Sequence, residues 1–136
     1  MRPVDADYLE TRSDIDQDRL AYLGVSMGRR MGGIMLAIEP RFKVGVLLIP
    51  GFSSLPVLPE VDPFNFTSRI TQPVLMTSGR YDQVFPLETA ALPMFRALTS
   101  AADKRHIISE TGHAVSWNVT IAETLAWLDK YLGPVE

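Results

Sequence analysis

Short apolar runs alternate with amphipathic stretches along the chain, and the alternation predicts strands and helices in turn. Residues 20–25 form an apolar run that ends at Ser26, and residues 27–38 supply helix-favouring Met, Leu and Ala before Pro40. Residues 42–49, FKVGVLLI, are apolar almost without a break and close on Pro50-Gly51. That is the pattern of a strand buried on both faces, as a parallel sheet requires. Residues 73–78 and 105–109 predict a third and a fourth strand, and between them residues 87–98 read as a helix that Pro93 kinks or splits. In the last predicted helix, 115–132, Val119, Ala122, Leu125, Leu128 and Leu132 recur at three- and four-residue steps, an expected core-facing stripe, and Gly133-Pro134 supplies the stop. Residues 51–69, rich in Pro, Ser and Asn, are expected to be irregular with one helical turn near 64–70. Residues 5–12 predict a partial helix.

Strands alternating with helices imply an α/β fold, a parallel sheet with right-handed crossovers and helices on its faces. Functional groups in such sheets gather beyond the carboxyl ends of the strands. Three of the predicted ends carry Ser26, Asp82 and His113.

The serine stands in Gly24-Val25-Ser26-Met27-Gly28, a Gly-x-Ser-x-Gly pattern that places a hydroxyl on a sharp strand-to-helix turn. Alone the pattern is weak, since average Gly and Ser abundance produces it by chance in about one chain of this length in twenty. A serine hydroxyl needs a base to take its proton, a role that suits histidine, and a carboxylate to hold the imidazole in the right tautomer. The chain order serine, aspartate, histidine matches this set of roles. Each residue also has a plain structural use: Ser26 as a helix cap, Asp82 as an Asx-turn carboxylate beside Gly79, His113 as a solvated loop residue. Glu110 is a rival acid for His113, and His106, inside a strand, reads as structural.

On these motifs the chain resembles the α/β-hydrolase superfamily. GVSMG is similar to its nucleophile elbow, PVLMTSGRYDQVFP to its acid loop and ETGHAV to its histidine loop. The preceding DIDQDRLAYL resembles the lead-in of bacterial esterases, dienelactone-hydrolase-like enzymes and prolyl-oligopeptidase-type domains. The resemblance implies a Ser26, Asp82, His113 triad acting through an acyl-enzyme, with the Met27 N–H in the oxyanion hole and Tyr81 and Trp117 as substrate-contacting aromatics. It implies a carboxylic ester hydrolase acting on short-acyl or small soluble esters; an amide or peptide hydrolase and an inactive remnant working by association are the alternatives.

The resemblance covers nearly all of this chain but about half of the family fold, because only about twenty residues precede the elbow strand. The expected fold is a truncated α/β-hydrolase domain over 1–136, about four mainly parallel strands flanked by helices in three layers. The elbow strand then lies on an open edge, so a homo-oligomer, dimer or tetramer, is expected to cover it unless an absent half does. The second oxyanion donor is left to the 51–55 loop or to a neighbouring subunit. Arg29-Arg30 stand where the family often carries another glycine for close helix packing.

Composition narrows the partners. The net charge is −3 with scattered basic residues, which argues against nucleic acid. There is no cysteine, and two histidines without a matched carboxylate cluster argue against a metal site. No cofactor is expected. No run is long enough for a membrane span, and the N-terminal residues lack a signal-peptide core, so a cytoplasmic location is expected.

Overall fold

The computed structural model describes residues 4–134. Four strands, β1 (Ala21–Val25), β2 (Val44–Leu48), β3 (Val74–Gly79) and β4 (Lys104–Ser109), form one wholly parallel sheet in the order β1-β2-β3-β4. β2 and β3 are buried along their whole length, which the unbroken apolar runs at 42–49 and 73–78 anticipate.

Alternation along the strands builds two cores. Leu20, Leu47, Val74 and Met76 meet Leu36, Ile70, Met94 and Leu98 on one face. That face carries α2 (Met27–Ile38), α3 (Phe64–Thr67) and α4 (Leu92–Ala97). Val44, Val46, Leu48 and Leu75 meet Trp127 of α5 (Trp117–Leu132) on the other. The result is the expected three-layer α/β arrangement.

Pro93 splits the predicted helix at 87–98. A π-helical turn, Leu87–Ala91, runs directly into α4. A proline ring clashes with the carbonyl one turn before it and donates no bond to it, and the wider turn absorbs that misfit.

The last helix corrects the expected stripe. Leu128 and Leu132 pack against the sheet-facing core as expected, but Val119, Ala122 and Leu125 are exposed, and Thr120, Thr124 and Trp127 are the buried residues of the helix. α5 is apolar on more than one side, so its periodicity marks a helix without saying which side meets the sheet. The small threonines allow close approach to the valine-lined strands and Trp127 fills the space beside them.

Two arginines fix the base of the fold. Arg19, in the lead-in to β1, donates to the carbonyls of Leu132, Gly133 and Pro134 at 2.7, 2.7 and 2.8 Å, capping the end of α5. Arg41, just before β2, pairs with Glu39 at 2.5 Å. It also reaches Asp7 and Glu10 of α1 (Val4–Glu10) at 2.8 and 3.0 Å.

Candidate active site

Between β1 and α2 the chain reverses over Ser26 alone, at φ 51° and ψ −109°. L residues rarely adopt that conformation, and it holds the hydroxyl clear of both elements. The side chain makes no capping bond to α2 and is exposed. The Met27 N–H belongs to the first turn of α2, where amides lack intrahelical acceptors and the helix dipole favours negative charge.

Close packing of α2 on the sheet comes one turn after the double arginine. A Cβ on Gly32 would lie 2.4 Å from Leu47 and 2.8 Å from Tyr22, whereas one on Gly28 would meet nothing. Gly32, rather than a residue directly after the elbow, therefore allows the close approach of α2 to the sheet. The side chain of Arg29 lies outside what the structure describes.

The acid and histidine loops pack backbone to backbone. A Cβ on Gly79, the last residue of β3, would lie 2.1 Å from the Gly112 carbonyl and 2.5 Å from that of Thr111. The Arg80 and Tyr81 amides donate to the Ser109 and Thr111 carbonyls at 2.8 and 2.9 Å. This contact delivers Asp82 to His113. The ring's Nδ1 lies 3.0 and 2.9 Å from the two carboxylate oxygens, and the Asp82 side chain is only 2 % exposed.

Asp82 serves its own loop as well. Its Oδ1 accepts the amides of Val84 and Phe85 at 2.8 and 2.9 Å, so the Asx-turn and the imidazole-orienting roles belong to one carboxylate. An ionised carboxylate only accepts, so Nδ1 carries the proton in neutral His113 and Nε2 is left with a lone pair.

The rival acid is engaged elsewhere. Glu110 pairs with Arg80 at 2.5 Å. The Arg80 guanidinium, and then the Tyr81 phenol, hold its carboxyl below the usual range. His106 bonds through Nε2 to Ser78 at 2.8 Å and packs on Phe95, with its Nδ1 buried and unpartnered.

A cavity of about 130 Å³ at the elbow is lined by Ser26, Met27, Arg30, Ser53 and Phe85. Phe85 is common to both halves of the site, since its ring centroid is 5.9 Å from that of His113. No hydrogen bond joins Ser26 to His113 among the described residues. Ser53 arrives on the segment after β2, which leaves the strand through Ile49 at φ 50°. That segment packs tightly on Phe85: a Cβ on Gly51 would lie 2.8 Å from the ring. Its hydroxyl oxygen accepts the Leu55 amide at 3.1 Å.

Tyr81 and Trp117 are not part of this lining. Tyr81 is exposed beside Glu110, which holds its phenol above the usual range. Trp117 lines a separate groove with Leu23 and Val25. Phe85 lies within the acid-loop stretch and Ser53 within the 51–55 loop considered for the second oxyanion donor, but only the contact between loops shows that these two and Arg30 line one cavity. Among the described residues no cluster suits a metal ion, and no helix is long and apolar enough to cross a membrane.

A family model described as PET hydrolase-like matches residues 6–134. No curated protein matches the sequence. The fold is similar to the zinc-bound structure of a cold-adapted esterase from an Arctic intertidal metagenomic library. Identity there is 23% and the TM-score 0.80, over 95% of this chain and 55% of that one. It is similar to an acylaminoacyl peptidase of Pyrococcus horikoshii at 16% identity and a TM-score of 0.76, over 96% of this chain and 27% of that one. It is also similar to acetyl xylan esterase 1 from Thermoanaerobacterium sp. JW/SL YS485 at 20% identity and a TM-score of 0.75, over 93% and 50%. The chain thus spans about half the length of the two esterases and about a quarter of the peptidase, and at these identities the likeness is one of fold.

Proposed function

The chain belongs to the PET hydrolase-like family, and from that premise we propose that it hydrolyses carboxylic esters through an acyl-enzyme on Ser26. The observation that carries this reading is the pairing of His113 Nδ1 with both oxygens of buried Asp82, at the sheet edge where Ser26 is held in its strained turn.

Ser26 Oγ attacks the ester carbonyl carbon while His113 Nε2 takes its proton, and Asp82 stabilises the imidazolium that forms. The transfer requires Nε2 to come within about 3 Å of Oγ, a contact that tightens when substrate is bound. The Met27 amide receives the charge developing on the carbonyl oxygen. His113 then protonates the departing alcohol, and water, deprotonated by the same nitrogen, releases the acid and restores Ser26.

Ser53 is our candidate for the second oxyanion donor. It shares the Ser26 cavity, and because its oxygen already accepts the Leu55 amide, its O–H proton is left to donate. The small cavity suits a short acyl group. Met27 and Arg30 connect it to a groove of about 630 Å³ lined also by Met31, Met35, Val61 and Phe66, which suits an apolar alcohol portion.

The test is fluorophosphonate labelling with p-nitrophenyl acetate and butyrate hydrolysis, beside Ser26→Ala and His113→Ala. The expected result is one label, on Ser26, and loss of turnover in both variants. An unlabelled Ser26 with variants equal to the parent would overturn the reading.

A further inference from the structure

Ser26, Met27, Ser53 and Phe85 give the cavity at the elbow neutral walls, and among the described residues Arg30 alone brings a charge to its lining. Arg30 is half-buried, and no hydrogen bond or ion pair among the described residues takes up its guanidinium. By contrast Arg19, Arg41 and Arg80 are each held by a carbonyl or a carboxylate. Partial burial strips water from a guanidinium, and only an acceptor restores what is lost.

The helix explains the placement. Arg30 comes one turn after Ser26, and helical side chains lean toward the N-terminus, so the long stem runs back over the elbow. Four residues rise about 6 Å, within reach of an arginine stem. Arg30 also stands on the side of α2 turned toward α3: a Cβ on Gly33, three residues on, would lie 3.0 Å from Pro63 and 3.2 Å from Thr67. The walls around Arg30 are therefore α2, the segment after β2 and the acid loop. Glu60, an exposed carboxylate, lies along the adjoining groove, and no ion pair joins it to Arg30 among the described residues. Met27 and Phe85 make the rest of the corner apolar, which strengthens a charge-assisted bond formed there.

We propose that Arg30 selects the substrate by binding a second carboxylate at the far end of the acyl portion, so that the preferred esters are hemiesters of short dicarboxylic acids. This deepens the ester-hydrolysis reading and rests on it. With the ester carbonyl at Ser26 Oγ, a spacer of succinyl length places the free carboxylate about one helical turn away, beside the guanidinium. The cavity of about 130 Å³ suits an acyl group of that size. A guanidinium fork matches a carboxylate with two parallel N–H donors, which sets this ligand apart from a neutral acyl chain. Arg30 makes and breaks no bond in the reaction. Its contact is the same in the ground state and the transition state, so its effect belongs in KM.

The first measurement is hydrolysis, followed by acid release at constant pH, of monoethyl succinate and of its uncharged analogue ethyl succinamate. The parent is expected to prefer the succinate. Arg30→Met is expected to lose about 10-fold or more of that preference, through KM, and Arg30→Lys to recover part of it. The second measurement needs no turnover: levulinate, a ketone with the same spacer and carboxylate, is titrated against the full chain while the Ser26, Met27 and Ser53 amides are followed by NMR. It is expected to bind the parent about 10-fold more tightly than Arg30→Met. A chain that binds levulinate in this way but hydrolyses neither ester keeps the anion site and loses the ester reading, so the two fail separately. Levulinate that binds Arg30→Met as tightly as the parent, or that leaves the elbow amides unmoved, overturns the proposal. So does a preference for succinate over succinamate that Arg30→Met leaves unchanged.

Discussion

His113 Nδ1 sits almost equidistant from the two oxygens of Asp82, at 3.0 and 2.9 Å, while Oδ1 of the same carboxylate also accepts two amides of its own loop. The Asp82 side chain thus fixes both the imidazole tautomer of His113 and the turn of its own loop.

Asp82→Asn is expected to separate those two duties. The amide oxygen still accepts from the Val84 and Phe85 amides, so the loop and the urea midpoint are kept. The imidazole loses its charged partner and tautomer preference, and kcat is expected to fall about 10³- to 10⁴-fold. Asp82→Ala is expected to add a stability loss of about 1 to 2 kcal/mol, as in loss of a helix cap.

Ser26 is an L residue in a glycine-like conformation, with φ 51° and ψ −109°. Ser26→Gly and Ser26→Ala both remove the hydroxyl and are both expected to be inactive. Only glycine relaxes the turn, so it is expected to be the more stable by about 1 to 2 kcal/mol in urea unfolding. Equal stabilities would show that the turn stores no strain.

Ser53→Ala is expected to lower kcat about 10²-fold or more with little change in KM, the signature of a donor used mainly in the transition state. Unfolding in urea is expected to be nearly unchanged, because Ser53 accepts only one exposed amide. A parent-like kcat would remove Ser53 from the oxyanion hole.

Burial holds the His106 imidazole below its ordinary value of 6.5. As pH falls through 6.5, the unfolded chain takes up a proton that the folded chain still refuses. Stability is therefore full above 6.5 and lost as pH falls toward the folded value. Urea midpoints across this window are expected to drop more steeply for the parent than for His106→Gln. An identical slope would assign the pH dependence to other groups.

By itself the sequence determined the element order, the parallel sheet and the Gly-x-Ser-x-Gly turn. These rest on local causes: unbroken apolar runs, helix-period stretches, and turn residues between them. Chain order also placed Ser26, Asp82 and His113 at one sheet edge, because parallel strands all end on the same side. Only the tertiary structure decided which loops touch. The approach of Gly79 to Gly112 gives His113 to Asp82, while the ion pair with Arg80 takes up Glu110. Likewise the packing of the 50–55 segment on Phe85 puts Ser53 beside Ser26. The helix at 117–132 shows the same division: its period declares an amphipathic helix, but with apolar residues on several sides the sheet selected Thr120, Thr124 and Trp127 by fit. Leu125 and Trp117 were left facing outward beside β1. Periodicity is a property of one segment, and the choice of face belongs to the pair of surfaces that meet.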